Sequence, residues 1–267
     1  MEHTMSENAV IVITGASTGI GKELAHCFAA DGQALLLTAR NRERLEALAE
    51  SLRSEYGRTV YVCACDLAVP EGVEELLGYI EENGLDVDVL VNNAGYGVSG
   101  AFASSGWEDV QGMMQLNMTS LVALSYRLLP GMRARKSGGI LNVASTAAFQ
   151  PGPNFNVYCA TKAFVLSFSE ALYEELRGSG VRVTALCPGA TLTEFQKRAN
   201  LEKSLLFQRS FIPMVSVEEV ARQGYQAFHR GKPLVVTGWM NRISVFAVRL
   251  VPRALVRKIA ARLMRHE

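Results

Sequence analysis

Apolar, β-branched runs alternate with stretches of helical periodicity along most of the chain, and this alternation restricts the fold more than any other feature. Uninterrupted apolar strands suit a sheet that is covered on both faces, and strand–helix alternation suits parallel crossovers. We therefore predict an α/β fold, a doubly wound parallel sheet of about seven strands with helices on both faces. The predicted strands read AVIVIT, ALLLTA, VYVCA, VDVLVN, GILNVAS, VRVTALC and PLVVTG.

The sequence between the strands predicts the helices and the extent of the domain. Helices are expected over about 20–30, 42–54, 73–82, 107–133 and 157–177. No linker, repeat or low-complexity tract is visible, so residues 1–267 are predicted to form a single domain. It contains a substrate-loop region, 191–215, and a C-terminal helical extension, 241–267. Ser216 and Glu219 have the spacing of a capping box, which predicts a new helix after the loop region.

Composition argues against several classes of protein. The formal net charge is +1, so no global field favours nucleic acid as a partner. The five cysteines are odd in number, lack metal-ligand spacing and mostly lie in apolar runs, which is typical of reduced thiols in a cytoplasmic protein. The polar N-terminus lacks a signal-peptide pattern, and no run of about 18 apolar residues predicts a membrane span. We predict no metal site.

The first predicted strand ends in a glycine-rich turn, TGASTGIG, at residues 14–21. Gly15 can take the tight turn, Gly19 allows the backbone to approach a pyrophosphate, and Gly21 lets the following helix pack closely. The N-terminus of that helix offers free N–H groups to phosphates. A turn without a ligand is the alternative, but its place after the first strand of a βαβ chain favours a dinucleotide. The absence of GK[ST] argues against a P-loop.

The residue at the end of the second predicted strand indicates which dinucleotide binds. An NAD site usually places Asp or Glu about 20 residues beyond the glycines, where it holds the ribose 2′-OH. Here the strand ends in Arg40, which can pair bidentately with a 2′-phosphate, while Ser17 can donate a hydrogen bond and Arg44 can add charge. NADP is therefore predicted in preference to NAD, with a solvated Arg40 at a helix start as the alternative.

A tyrosine and a lysine stand four residues apart in NVYCATK, residues 156–162. Tyr158 and Lys162 would share a helix face. A nearby ammonium and a positive nicotinamide ring favour the phenolate, which would bring the tyrosine pKa down from about 10 toward the working range. Taken alone, such a pair is more often two ordinary residues of a surface helix.

As an ordered set, these motifs resemble the single-domain branch of the short-chain dehydrogenases/reductases. The resemblance covers about residues 8–195, weakens beyond them, and implies a Rossmann-type fold. The matching features, in chain order, are TGASTGIG at 14–21, Asp66, NNAG at 92–95, Asn117, Ser145, Tyr158-x-x-x-Lys162 and PG at 188–189.

The resemblance implies a role for each matching residue. Asn117, Ser145, Tyr158 and Lys162 would form a catalytic tetrad, in which Asn117 holds a water behind Lys162 and Ser145 binds the substrate oxygen. Asp66 and Leu67 would hold the adenine, 93–95 would flank its ribose, and 188–189 would hold the nicotinamide carboxamide. Thr191 stands where a branched apolar residue is common, which is the one departure. With the two residues predicted for the 2′-phosphate included, the cofactor contacts would be Gly15, Ser17, Thr18, Gly19, Ile20, Gly21, Arg40, Asp66, Leu67, Asn93, Ala94, Gly95, Tyr158, Lys162, Pro188, Gly189, Thr191 and Thr193.

These expectations point to an NADP(H)-dependent oxidoreductase acting on a carbonyl or secondary alcohol, with Tyr158 as general acid/base. The alternative is a non-catalytic dinucleotide sensor or interaction protein on the same fold. A hydrolase is disfavoured because no histidine lies near a plausible nucleophile, and metal-dependent alcohol oxidation is disfavoured because no Cys/His cluster is present. The remote histidines are His3, His26, His229 and His266.

The segment between the sixth strand and the next helix predicts a hydrophobic substrate. Its apolar side chains can close over the nicotinamide end of the site, and Phe149 and Phe155 can add to the same wall. Ordinary packing is the alternative. The apolar residues are Phe195, Leu201, Leu205, Leu206, Phe207, Phe211, Ile212 and Met214.

The C-terminal extension contains two amphipathic pieces separated by Pro252. Three interpretations remain open: a helix that covers its own domain, an arm that contacts a partner subunit or the substrate opening, and a basic helix with weak contact to an anionic membrane surface. A homodimer or homotetramer is expected. In the second piece, one arc holds Leu255, Val256, Ile259, Ala260, Leu263 and Met264, and the other holds Arg257, Lys258, Arg262 and Arg265.

Overall fold

The strands follow the predicted apolar runs, and all of them are parallel. The structure is a computed structural model that describes residues 8–191, 194, 195, 199 and 214–264. In these residues one sheet has the order β3-β2-β1-β4-β5-β6-β7, which confirms the predicted fold class. The strands are β1 (Ala9–Thr14), β2 (Ala34–Thr38), β3 (Val60–Cys63), β4 (Asp86–Asn92), β5 (Gly139–Val143), β6 (Arg182–Cys187) and β7 (Leu234–Val236).

The helices also lie where periodicity predicts them, with boundaries that local chemistry adjusts. The third helix begins before the predicted Val73, because Pro70 supplies a preset φ at its first turn. The second extends to Tyr56 and ends where Gly57 adopts a φ of 64°. The helices are α1 (Gly19–Ala30), α2 (Arg42–Tyr56), α3 (Pro70–Glu82), α4 (Trp107–Met114), α5 (Leu121–Arg135), α6 (Asn156–Glu175), α7 (Val217–His229), α8 (Trp239–Leu250) and α9 (Arg253–Leu263).

The predicted long helix over 107–133 is wrong in one respect. A π-helical turn, Gln115–Ser120, separates α4 from α5, so the segment is continuous but is not a single α-helix. The Ser120 hydroxyl donates to the carbonyl oxygen of Leu67 at 2.6 Å, which ties this turn to the loop after β3. Composition does not reveal such a turn, because one wider turn changes the phase of the helix without changing its residue types.

The uninterrupted apolar strands are explained by helices on both faces of the sheet. In β1, Ile11 and Ile13 contact the layer of α1, α2 and α7. Val10 and Val12 point the other way and join the layer of α3, α5 and α6. All four side chains are buried, as the alternation of side chains along a strand requires.

The order in which strands are added to the sheet reverses between β1 and β4. Strands β2 and β3 lie on one side of β1, and β4 to β7 lie on the other. Ligands of doubly wound sheets bind beyond the carboxyl ends of the strands at such a switch point. The glycine turn follows β1 there, and the Asn93–Gly95 segment follows β4. None of the helices in the described part of the chain has the length and apolar character to cross a membrane.

Candidate active site

A cavity of about 930 Å³ lies beyond the carboxyl ends of the strands. Its lining runs from the glycine turn and the loops after β2 and β3 to the turn after β6 and the C-terminal helices. Most of the predicted site residues therefore lie around one cavity. Those that line it are Gly15, Ser17, Thr18, Gly19, Ile20, Arg40, Asp66, Leu67, Asn93, Ala94, Gly95, Ser145, Tyr158, Lys162, Pro188, Gly189 and Thr191.

Two of the predicted residues that the structure describes do not belong to this lining. Gly21 and Asn117 lie behind it, and each supports residues that do line it. Thr193 falls outside the described residues, as do Leu201, Leu205, Leu206, Phe207, Phe211 and Ile212 of the predicted substrate loop.

The glycine turn has the backbone conformation that its sequence predicts. Gly15 has a φ of 65° and Gly19 a φ of 58°, in the left-handed region that favours glycine. A Cβ on Gly15 would stand 2.9 Å from the Cα of Ala94. A Cβ on Gly21 would overlap the Asn93 side chain and the Gly15 carbonyl, so its close contact is with the turn itself.

Polar contacts from β4 hold this turn in place. The Asn93 amide donates to the carbonyl oxygens of Thr14, at 2.8 Å, and Gly15, at 3.1 Å. In return, the Thr14 hydroxyl oxygen accepts from the backbone N–H groups of Asn93 and Ala94, both at 2.9 Å. The two loops at the switch point are thus fixed to each other by the protein's own groups.

The residues at the start of α1 fit a pyrophosphate. Thr18 is the N-cap, but its side chain makes no capping hydrogen bond, and the first turn carries no acidic residue. The free N–H groups and the positive end of the helix dipole therefore face the cavity with no carboxylate beside them. A cradle of glycine backbone next to such a helix end has the donor set that a dinucleotide needs.

The two arginines predicted for the 2′-phosphate have different surroundings. Arg40 lines the cavity and is largely exposed, with its guanidinium 3.9 Å from the Asp66 carboxylate. Arg44 instead donates to both carboxylate oxygens of Glu194, at 3.0 and 2.9 Å. Arg40 is therefore the better placed of the two for a phosphate. The Arg44 pair could not be found by sequence reasoning, because its partners are 150 residues apart.

Lys162 is buried at the centre of the site. Its ammonium donates to the carbonyl oxygen of Val143 at 2.8 Å and lies 5.7 Å from the centre of the Tyr158 ring. A Cβ on Gly95 would stand 3.3 Å from Lys162 Nζ and 3.0 Å from Asn117 Oδ1. The glycine of NNAG thus leaves room for both side chains.

Asn117 lies in the π-helical turn and makes hydrogen bonds through both the nitrogen and the oxygen of its side-chain amide. Its Nδ2 donates to the Tyr96 carbonyl at 2.9 Å and to the Thr161 hydroxyl at 3.0 Å, and its Oδ1 accepts from the Tyr96 N–H at 3.1 Å. Thr161 in turn donates to the Tyr158 carbonyl at 2.8 Å. Asn117 therefore fixes the loop after β4 against α6, a contact that its sequence context did not predict.

Burial sets the protonation of the central pair. It raises the pKa of Tyr158 above its ordinary value, while a hydrogen bond with the Ser145 side chain acts in the opposite direction. Burial lowers the pKa of Lys162 to about 8. The predicted lowering of the tyrosine pKa by Lys162 and a nicotinamide ring is not seen for the protein groups by themselves, because burial of the phenol is the largest influence on its pKa.

Ser145 is held at the end of β5 as the cap of a short 3₁₀ helix, Thr146–Phe149. Its hydroxyl oxygen accepts from the Ala147 N–H at 3.0 Å. After β6, the Pro188 carbonyl accepts from the Thr146 N–H at 2.8 Å, which joins the serine loop to the predicted nicotinamide turn. The Thr191 hydroxyl donates to the Gly189 carbonyl at 3.1 Å, so the polar residue at this position is satisfied locally.

Aromatic side chains surround Tyr158. The Phe155 ring stacks on the Tyr158 ring with centroids 4.4 Å apart, and the Phe195 ring lies 5.3 Å from it. Phe149, Phe155 and Phe195 all line the cavity, where the sequence placed them. Met264 packs in the same apolar cluster as Tyr158, although it is the last residue described at the C-terminus.

The C-terminal helices form one wall of the cavity. Asn241 of α8 packs directly against Gly189, where any Cβ would overlap its amide, and it donates to the Thr237 carbonyl at 2.8 Å. The sequence did not predict which residues form this wall. It did place Val256, Ala260 and Met264 on one apolar arc of α9, and these three residues are buried. The C-terminal residues that line the cavity are Asn241, Ser244, Val245, Ala247, Val248, Val251, Val256, Ile259, Ala260, Leu263 and Met264.

The sequence also matches known proteins. The family described as short chain dehydrogenase matches residues 9–204. The chain belongs to the short-chain dehydrogenase/reductase family. This result confirms the predicted family and, with it, the predicted class of enzyme, an oxidoreductase acting on hydroxyl and carbonyl groups.

Individual relatives include both small-substrate and steroid enzymes. The serine 3-dehydrogenase of Agrobacterium fabrum is 39% identical over 189 residues, which are 70% of this chain and 74% of that protein. A short-chain dehydrogenase from Sphingobium yanoikuyae, solved with NADPH, is 32% identical with a TM-score of 0.80 over 91% of this chain and 94% of its own. A 7β-hydroxysteroid dehydrogenase is 25% identical with a TM-score of 0.85 over 94% of this chain and 96% of its own.

Proposed function

We propose that this protein is an NADP(H)-dependent oxidoreductase that transfers a hydride between nicotinamide and a carbonyl or secondary alcohol of a hydrophobic compound. The observation that carries the proposal is the convergence of Ser145, Tyr158 and Lys162 on a cavity whose far end is a glycine turn at a helix N-terminus. When bound, the dinucleotide supplies the hydride, and the protein supplies orientation and the proton.

Tyr158 is the proton donor in this proposal. Because burial raises its pKa, the phenol is protonated throughout the neutral range, which suits transfer of a proton to a carbonyl oxygen during reduction. Ser145 hydrogen-bonds the same oxygen and stabilises its developing negative charge. Burial also makes the phenol a weaker acid, so in this proposal the Lys162 ammonium and the positive nicotinamide ring bring its pKa toward the working range.

Lys162 and Asn117 support this proton transfer. Lys162 holds the nicotinamide ribose hydroxyls while its ammonium stays anchored on the Val143 carbonyl. Asn117 positions α6 through Thr161 and, in the proposal, keeps a water in the relay behind Lys162. The proposed contacts with adenine, ribose and carboxamide are those predicted for Asp66, Leu67, residues 93–95 and 188–191, with Thr193 added from outside the described residues.

Arg40 and Ser17 select NADP over NAD in this proposal. Both line the cavity at the end where the glycine turn lies, and the guanidinium of Arg40 can pair with a 2′-phosphate. The structural relative solved with NADPH supports the same cofactor.

The substrate is proposed to be a fatty, steroid-like or aromatic carbonyl or alcohol. The serine enzyme among the relatives favours a small polar substrate, but its sequence match covers 70% of this chain, and the family match ends at residue 204. The cavity wall formed by α8 and α9 lies beyond that point and is mostly apolar. The steroid enzyme resembles nearly the whole chain, which supports a larger apolar substrate.

A panel of carbonyl compounds offered with NADPH tests the function directly. We expect loss of the reduced-nicotinamide absorbance with apolar ketones or aldehydes and little with polyhydroxylated or charged ones. Binding of NADPH without turnover of any compound would favour the alternative, a dinucleotide sensor. Preference for charged substrates would refute the proposed substrate class while leaving the reaction class intact.

We also propose that the protein forms a homodimer or homotetramer and works in the cytoplasm. Tyr126 of α5 and Phe164 of α6 are exposed apolar side chains that a subunit contact would cover. All five cysteines are free, which fits a reducing compartment. Light scattering of the pure protein tests the first statement, and a single-chain mass would refute it.

A further inference from the structure

An apolar stripe runs along the outer side of α8. We define the stripe as Trp239, Ile243, Phe246 and Leu250, whose spacing of four, three and four residues places them on one helix face. Each of these side chains is between 59 and 71% exposed. None of them lines the cavity, which α8 contacts with its other residues. The helix is therefore apolar on two sides, and only one of them is covered by the protein.

Helix α9 repeats this arrangement. Val256, Ala260 and Met264 are buried against the protein. Leu255 and Ile259 are 48 and 49% exposed, and Leu263 is 39% exposed. The predicted single apolar arc of this helix is thus divided between the protein and the surface.

The charge of the same region is one-sided. Residues 239–264 contain six basic side chains and no acidic one. All six are exposed, although Arg242 also donates to the Val236 carbonyl. An anionic surface complements this charge, whereas a second copy of the same face would bring like charges together across a two-fold axis. The basic residues are Arg242, Arg249, Arg253, Arg257, Lys258 and Arg262.

A lipid surface offers both an apolar layer and negative headgroups. Helices that lie in this interface combine an apolar face with basic residues, and aromatic side chains such as Trp239 and Phe246 concentrate there. With 12 and 11 residues, α8 and α9 are shorter than the roughly 20 needed to span a bilayer, but they are long enough to lie along its surface.

The cavity opens beside these exposed side chains. Ile259 and Leu263 both line it and remain partly exposed, so its rim is continuous with the apolar surface of α9. We propose that α8 and α9 dock on an anionic membrane surface, so that an apolar substrate passes from lipid into the cavity. Docking is independent of the proposed function, whereas substrate transfer rests on it.

The two tryptophans of the chain provide a matched test. Trp107→Phe leaves Trp239 as the only reporter, and Trp239→Phe leaves Trp107, which is similarly exposed but lies at the start of α4. With phosphatidylcholine vesicles that contain phosphatidylglycerol, we expect a blue shift and quenching by brominated acyl chains for Trp239 and neither effect for Trp107. Equal effects on both, or none on Trp239, would overturn the proposal.

Variants separate the apolar and the ionic contributions. Ile243→Ser with Phe246→Ser should lower vesicle partitioning at least tenfold. Arg253→Gln, Arg257→Gln and Lys258→Gln together should lower it about a hundredfold, at about fivefold per charge, and added salt should mimic them. Phe102→Ser, an exposed substitution in the loop between β4 and α4, serves as the control and should change nothing.

Three further measurements distinguish membrane docking from a subunit contact and from failure of the proposed function. Binding that is equal with and without phosphatidylglycerol would overturn the anionic partner. A lower oligomer mass of the Ile243→Ser, Phe246→Ser variant without any vesicle binding by the parent would overturn docking in favour of a subunit contact. Turnover of a water-soluble ketone without vesicles tests the reaction separately, so failure of docking and failure of the proposed function give different results.

Discussion

The two ends of the cavity are built in different ways. The nucleotide end consists of short turns after β1 and β4 that are locked together by Asn93 and Thr14. The other end is lined by side chains of α8 and α9, most of which are aliphatic. The first construction lies within residues 9–204, which match the family, and the second lies outside them. We therefore expect the reaction and the cofactor to be those of the family, and the substrate preference to depend on the C-terminal helices of this chain.

The largest expected effect on activity comes from Tyr158, which lies where the two ends of the cavity meet. Tyr158→Phe should lower kcat by about a thousandfold, because it removes the proposed proton donor while keeping the ring that stacks on Phe155. The Kd for NADPH, measured by fluorescence, should stay within a few-fold of the parent value. Tyr126→Phe, at an exposed position of α5, is the control. A Tyr158→Phe variant with nearly parental kcat would remove this residue from the proposed role.

At the nucleotide end, Arg40→Gln should weaken NADPH binding by ten- to a hundredfold and leave NADH binding almost unchanged. Glutamine is preferred to aspartate here, because a new carboxylate would face Asp66. Arg44→Gln should have a smaller effect, since Arg44 is engaged by Glu194. Calorimetric Kd values for both nucleotides check this. Equal losses for NADPH and NADH would contradict the assignment of the 2′-phosphate to Arg40.

Lys162, which lies between the two ends of the cavity, should make the free energy of unfolding depend on pH. Burial lowers its pKa to about 8, so between that value and its unfolded pKa near 10.4 the unfolded state binds more protons. The penalty for the buried ammonium is present in full below pH 8 and is relieved as the pH rises. The stability of the parent relative to Lys162→Met should increase by roughly 2 kcal/mol between pH 7.5 and 9.5.

Denaturant unfolding of both proteins at several pH values measures this difference. Burial raises the pKa of Cys187 to about 12 although Lys162 lowers it, so the folded thiol stays protonated over this pH range in the parent and, without the Lys162 charge, in the variant as well. A difference that stays constant or shrinks with rising pH would show that Lys162 does not titrate in this range.

The smallest effect is expected at the substrate end. Ala260→Leu should raise KM for a large apolar substrate about tenfold by narrowing the wall, while NADPH affinity stays unchanged. Ala254→Leu is the matched control, because Ala254 is an exposed residue of the same helix and does not line the cavity. Equal KM values for the two variants would show that α9 does not shape the substrate site.

The sequence predicted what depends on residues close together in the chain. Apolar runs gave the strands, TGASTGIG gave the turn, and Tyr158 and Lys162 shared a helix face. It missed contacts between distant segments, such as Arg44 with Glu194 and Asn241 with Gly189, because packing in three dimensions leaves no local pattern. It also assumed that Lys162 would control the phenol, whereas burial, which is a property of the whole fold, has the larger influence.

The π-helical turn has a consequence for how this protein can vary. Each residue of an α-helix turns the chain by about 100°, so the wider turn at 115–120 resets the phase between α4 and α5. Met113 before it packs with Tyr158, and Leu124 after it packs against the sheet. A one-residue deletion that restored a regular helix would leave these two residues unable to face their partners together. Length in this stretch is therefore constrained as well as side-chain identity, and the position of Asn117 is set by a residue count.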